Sequence, residues 1–151
     1  MRFIDHVISG HSGGAEGSGR THKVWNPSTG EVQAEVPLGD AALLAKAVET
    51  AKKIQPEWAA TNPQRRARVM FEFKRLVEEN KQALAELLAS EHGKVVDDAH
   101  GDVQRGLEVI EYACGIPQAL KGEYTQGAGP GIDVYSMRQP LGIGAGITPF
   151  N

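Results

Sequence analysis

Between Asp40 and Gly115 the apolar residues of this chain recur every three to four positions, whereas on either side of that block they alternate with polar residues. A run of that length with helical spacing cannot lie in a sheet, so a group of helices must stand between two strand-bearing ends. Leu44, Ala47, Val48, Ala51 and Ile54 predict an amphipathic helix over residues 41–54 behind Asp40, an N-cap candidate. Asn62-Pro63 repeats the start signal, with Pro at the first helical position. Val69, Met70, Phe73, Leu76 and Val77 then form one stripe; Asn80 caps or interrupts it, and Leu84, Leu87 and Leu88 extend it to a stop at Gly93. Asp97 and Asp98 favour a further helix start through the macrodipole, and Val103, Leu107, Ile110 and Cys114 carry that helix to Gly115 and Pro117.

The flanks read differently. Phe3 to Ile8 predicts one short strand, and Thr21–Trp25 with Glu31–Val36 predicts a hairpin turning near residues 27 to 30. The Gly- and Ser-rich stretch Gly10–Gly19 between them reads as a mobile loop. On the far side, Gly122–Gly131 reads as a loop. Ile132, Val134, Ser136 and Arg138 then share one face of a strand, with Asp133, Tyr135 and Met137 on the other. Beyond a break at Pro140, a last strand is expected with Gly142, Gly144 and Gly146 on one face and Ile143, Ala145 and Ile147 opposite. Strands, helices, then strands make the fold class α/β or α+β.

With 151 residues, 40% hydrophobic and 23% charged, the chain sits in the range of one globular domain. A closed core at this size buries roughly 68–70% of the unfolded surface. Lys and Arg number 16 against 19 Asp and Glu, a net charge of −3, which argues against a nucleic-acid partner. No apolar run approaches membrane-spanning length, so no membrane partner is expected. A single cysteine, and a start without the apolar core of a signal peptide, point to a reducing, cytoplasmic (bacterial) setting. The chain closes on an apolar, Gly-rich run with no polar tail, which makes it readable as a fragment.

Chemistry-bearing residues are few. Cys114 is the natural nucleophile candidate, but it lies in register with Val103, Leu107 and Ile110 and reads as an inert buried thiol. His6, His11, His22, His92 and His100 show no ligand spacing and read as surface residues; no metal site is expected. Gly142-Ile-Gly-Ala-Gly146 lacks the G-x-G-x-x-G spacing of a dinucleotide fingerprint and reads as close packing. Arg105 stands about 200° around the helix from Val103, away from the apolar stripe. It is either a solvated polar-face residue or a clamp for a carboxylate. Asp97, Asp98 and Asp102 read most simply as acids on the helix dipole. Asn151 is either a turn residue or an amide donor to a developing oxyanion.

Ile147-Thr-Pro-Phe-Asn151, preceded by Arg138-Gln-Pro-Leu-Gly-Ile143, resembles a signature of the aldehyde dehydrogenase superfamily. Trp25-Asn-Pro-Ser-Thr-Gly-Glu31 and the Trp58 and Arg65-Arg-Ala67 region resemble it too. Ser90-Glu-His-Gly-Lys94 and Asp98-Ala-His-Gly-Asp-Val-Gln-Arg-Gly-Leu-Glu-Val109, followed by Cys114-Gly-Ile-Pro117, resemble its CoA-acylating branch, which acts on methylmalonate or malonate semialdehyde. The resemblance covers nearly the whole chain. It implies the N-terminal part of that α/β fold: hairpin, helices, an oligomerisation strand around Ile132–Arg138, and the first strand of the nucleotide-binding sheet. It implies NAD as cofactor, coenzyme A as co-substrate, a small semialdehyde as substrate and a homo-oligomer, a tetramer, at full length. By the same resemblance Asn151 supplies an oxyanion-hole amide, Arg105 holds the substrate carboxylate, and Thr148 and Phe150, with Ile147 and Pro149, line the NAD site. The family's nucleophilic cysteine lies downstream of the Phe-Asn motif and Cys114 does not match its context, so residues 1–151 are expected to be a truncated portion, inactive alone.

Overall fold

A computed structural model describes residues 1–12 and 18–148, without the side chain of Ser12. The strands at the N-terminal end are β1 (Arg2–Phe3), β2 (Val7–Ile8), β3 (His11–Ser12), β4 (Thr21–Trp25) and β5 (Val32–Pro37). The predicted hairpin is present: β4 pairs antiparallel with β5, and β1 adds in parallel to the other edge of β5. Its turn is built as the Asn-Pro-Ser-Thr-Gly sequence demands. Ser28 N donates to Asn26 Oδ1 at 2.9 Å, Gly30 N donates to Asn26 O at 2.8 Å, and Gly30 takes a positive φ of 74°.

The single strand expected over Phe3–Ile8 is two strands in two sheets. Ile4 N still donates to Glu35 O at 2.8 Å, but one residue later the Asp5 carboxylate accepts from His6 N, a local bond that competes with the ladder. β2 then pairs with β3 across Ser9 and Gly10, both at positive φ as a tight two-residue hairpin requires. Within the mobile loop expected over Gly10–Gly19, His11–Ser12 is instead strand β3, paired with β2; residues 13–17 lie outside the described residues, and beyond them Ser18 Oγ donates to Leu38 O at 2.9 Å.

The helical block is α1 (Ala41–Ala60), α2 (Pro63–Glu79), α3 (Lys81–His92), α4 (Val96–Cys114) and the single turn α5 (Ile116–Ala119). Asp40 caps α1 through Leu43 N, and Asn62 caps α2 through Gln64 N, each at 2.8 Å. Asn80 interrupts: its amide donates back to Leu76 O and two helices result. α1 outruns its predicted end, passing through Pro56 to Ala60. Pro56 is exposed, so the Lys52 carbonyl that loses its helical donor there can turn to water.

α2 and α3 both pack on α4. The residues buried at these contacts are mostly small: Ala67, Ala85, Ala99 and Cys114, with Leu107. Alanine at a crossing lets helix backbones approach closely, at the expense of apolar volume. The sheet docks on the C-terminal end of α3. Gln33 Nε2 donates to Ser90 O at 3.0 Å, Arg2 pairs with Glu91 at 3.0 Å, and Pro27 packs against Gly93.

After the helices come β6 (Tyr124–Gly129) and β7 (Ile132–Tyr135), an antiparallel ribbon. Residues 124–129 were expected as loop because of their glycines. The partner strand overrides that local preference: Asp133 accepts from Tyr124 OH at 2.6 Å and from Gly127 N at 2.8 Å, holding Gly127 at φ 66°. The hydrogen bond raises the Tyr124 pKa and lowers that of Asp133. The last strand expected, over residues 142–147, is not a strand. Residues 136–148 carry no regular secondary structure, and no strand among the described residues lies beside 142–147 to supply the ladder a strand needs.

Candidate active site

Arg105 projects from the exposed side of α4. That face is continuous: Gly101, Arg105, Val109 and Tyr112 follow at intervals of four, four and three, and Val109 and Tyr112 are 69% and 75% exposed. Among the described residues Arg105 makes no ion pair or hydrogen bond. Arg75 on α2 shows the usual fate of a helical arginine beside carboxylates. It forks between Glu72 and Glu79, which raises its pKa. The carboxylate three residues before Arg105 is committed elsewhere: Asp102 accepts from Lys94, which also meets Asp98 at 3.3 Å.

That pairing corrects the reading of Asp98 and Asp102 as dipole acids alone. Lys94, Asp98 and Asp102 stand at i, i+4 and i+8, and this spacing was the available signal. The Lys94 pKa is raised, first by the hydrogen bond to Asp102 and then, against partial desolvation, by Asp98.

The C-terminal motif is described only in part. Residues 142–145 run beside Val48, Lys52 and Gln55 of α1, forming the wall of a groove. Ile147, wholly open, and Thr148, also exposed, follow. Pro149, Phe150 and Asn151 lie outside the described residues. No residue of α4 lines the groove, so Arg105 and the described part of the motif share no pocket.

Cys114 is 8% exposed and packs where α4 meets Ala67 and Phe71 of α2 and the start of α5. Its place in the core accords with the inert-thiol reading. Two histidines read as surface residues are half-buried. His100 Nε2 shares a hydrogen bond with Gln82 Oε1 at 2.8 Å, tying α4 to α3, while His6 lies against Gly39 with its Nε2 buried and without a partner among the described residues. Among the described residues no three His, Cys, Asp or Glu side chains are grouped to hold a metal ion, and no helix is long and apolar enough to cross a membrane.

The sequence from residue 15 to 151 matches the model of the aldehyde dehydrogenase family. The chain belongs to that family. A malonate-semialdehyde dehydrogenase of Pseudomonas aeruginosa is 46% identical over all 151 residues, and an acylating, mitochondrial methylmalonate-semialdehyde dehydrogenase of Arabidopsis thaliana is 45% identical over 128. They are covered to 30% and 21% of their own lengths, against 100% and 85% of this chain. Among solved structures, a Sinorhizobium meliloti protein described as a methylmalonate-semialdehyde dehydrogenase, complexed with NAD, superposes with a TM-score of 0.94 at 58% identity. That comparison covers 100% of this chain and 30% of the other. A methylmalonate-semialdehyde dehydrogenase of Oceanimonas doudoroffii gives 0.87 at 42% identity, covering 93% and 28%. The chain thus spans 21% to 30% of the length of these aldehyde dehydrogenases and has the fold of their N-terminal part.

Proposed function

We propose that this chain is the N-terminal segment of an NAD-dependent, CoA-acylating dehydrogenase that converts malonate or methylmalonate semialdehyde to acetyl-CoA or propionyl-CoA with loss of the carboxylate carbon. One observation on the molecule carries the reading: Arg105 is presented outward on a helix with no carboxylate among the described residues engaging it. A guanidinium left without an internal anion is suited to grip the carboxylate of a small acid substrate bidentately. The names of the relatives above support the same substrate class.

In this reading Asn151 offers its side-chain amide to the oxyanion that develops on the aldehyde oxygen. Thr148 and Phe150, flanked by Ile147 and Pro149, form a wall against the dinucleotide. The described part of that wall fits the role, since Ile147 and Thr148 are exposed. NAD, when bound, accepts the hydride released by the aldehyde carbon. The exposed ribbon β6–β7, with Ile132, Val134 and Tyr135 on its surface, offers a free edge for pairing between subunits of a homo-oligomer.

In a complete dehydrogenase carrying this segment, Arg105→Ala should raise KM for the carboxylated semialdehyde about a hundredfold while sparing an uncharged aldehyde of similar size, and wild type should release a CoA thioester. Equal KM values for variant and wild type would return Arg105 to a solvated role and point to another semialdehyde as substrate.

A further inference from the structure

Two glycines sit in the interior of α4, Gly101 and Gly106, where glycine weakens a helix relative to alanine. Neither is required by the geometry of the described residues. Both have ordinary helical backbone, and a Cβ built on either meets nothing within 4 Å. Gly101 differs from Gly106 in its surroundings. It stands one turn before Arg105 on the same face, whereas Gly106 is rotated about 100° away. Side chains on a helix lean toward its N-terminus, so Arg105 reaches over the patch that a side chain at position 101 would fill.

We infer that Gly101 is a specificity-determining position: its missing side chain keeps clear the space in which the carboxylate end of the substrate meets the Arg105 guanidinium. The inference rests on the carboxylate-binding role proposed for Arg105. Two observations converge on it. The helix gives up stability at a position where nothing among the described residues needs room, and the arginine above that position has no partner from its own helix. A planar guanidinium accepts a carboxylate through two parallel hydrogen bonds, which requires the approach in its own plane to be free of methyl groups. Bulk at 101 therefore acts on acids that must reach Arg105, and it acts most on those with a substituent beside the carboxylate.

The test uses a complete dehydrogenase carrying this segment, as wild type, Gly101→Ala and Arg105→Ala, with malonate semialdehyde, its 2-methyl homologue and an uncharged aldehyde as substrates. Gly101→Ala should raise KM for malonate semialdehyde about tenfold and for the methyl homologue more, leave the uncharged aldehyde within about twofold, and keep or raise Tm. A drop in Tm, failure to fold, or equal loss on all three substrates would show that a neighbouring segment fills the space, and overturns the inference. Unchanged KM values in Gly101→Ala also overturn it. If Arg105→Ala still raises KM for the acids, the Arg105 reading survives that failure; if Arg105→Ala has no effect, that reading fails first.

Discussion

Gly93 shows how much one residue can settle. It ends α3 in the left-handed region at φ 87°, and a Cβ there would stand 2.8 Å from Pro27 Cγ, in the turn of the β4–β5 hairpin. The same atom that glycine lacks is excluded by backbone conformation and by the sheet packed over it. Gly93→Ala should therefore cost roughly 2 kcal/mol, read as a lower urea midpoint at unchanged m-value. Pairing it with Pro27→Ala should recover part of the loss, because only the contact is relieved and the strained φ stays. The helix stop at this glycine was legible from its position after Leu84, Leu87 and Leu88. Its contact with Pro27, sixty-six positions away, was not, since spacing in a sequence carries no information about what a loop folds over. Arg105 divides in the same way: its polar side of the helix follows from the 3.6-residue period, and its lack of a partner among the described residues does not.

At the level of elements, the α3–α4 junction depends on Lys94. α4 begins at Val96 behind Val95, which has no capping side chain, and Asp98 and Asp102 of its first two turns are drawn instead to the Lys94 ammonium. Because the Lys94 pKa in the fold lies above its ordinary value of 10.5, this contribution to stability is fully present below pH 10.5 and is lost as pH rises through the folded value. Asp102→Asn should thus be less stable than wild type at pH 7, with the gap closing as unfolding is followed above pH 10.5. A gap that stays constant to high pH would show that the carboxylate acts otherwise than through Lys94. The elements themselves were largely readable, as helices announced by Asp40, Asn62-Pro63 and Gly93 came where those residues placed them. The misreadings share a cause. β6 forms in a glycine-rich segment because Asp133 and β7 hold it, whereas residues 142–147, with a clean alternating pattern, form no strand because no strand among the described residues lies alongside them.

For the whole molecule, surface area is the telling quantity. The chain exposes 11554 Å², where a compact protein of 16.2 kDa exposes roughly 7,500 Å². It buries about half of its unfolded surface, at 1.45 Å² per dalton, against the roughly 68–70% that its length allows. Leu44, Ile54 and Trp58 of α1 and Phe71 and Phe73 of α2 are among the large apolar side chains left open. Residues 1–151 by themselves should accordingly bind a dye specific for exposed apolar surface, and should elute in size exclusion as a species larger than 16.2 kDa. A dye-silent, monodisperse monomer would contradict the open arrangement of these faces. Sequence alone determined what depends on neighbours in the chain: the helical block and its caps, the β4–β5 hairpin, the buried register of Cys114, and the motifs that place the chain among the aldehyde dehydrogenases. Tertiary structure alone decided which strands found partners, that Arg105 is left open among the described residues, and that the apolar stripes outnumber the surfaces available to cover them. Local propensity acts over a turn or two of chain, whereas pairing and burial are settled by what the completed fold brings alongside each face.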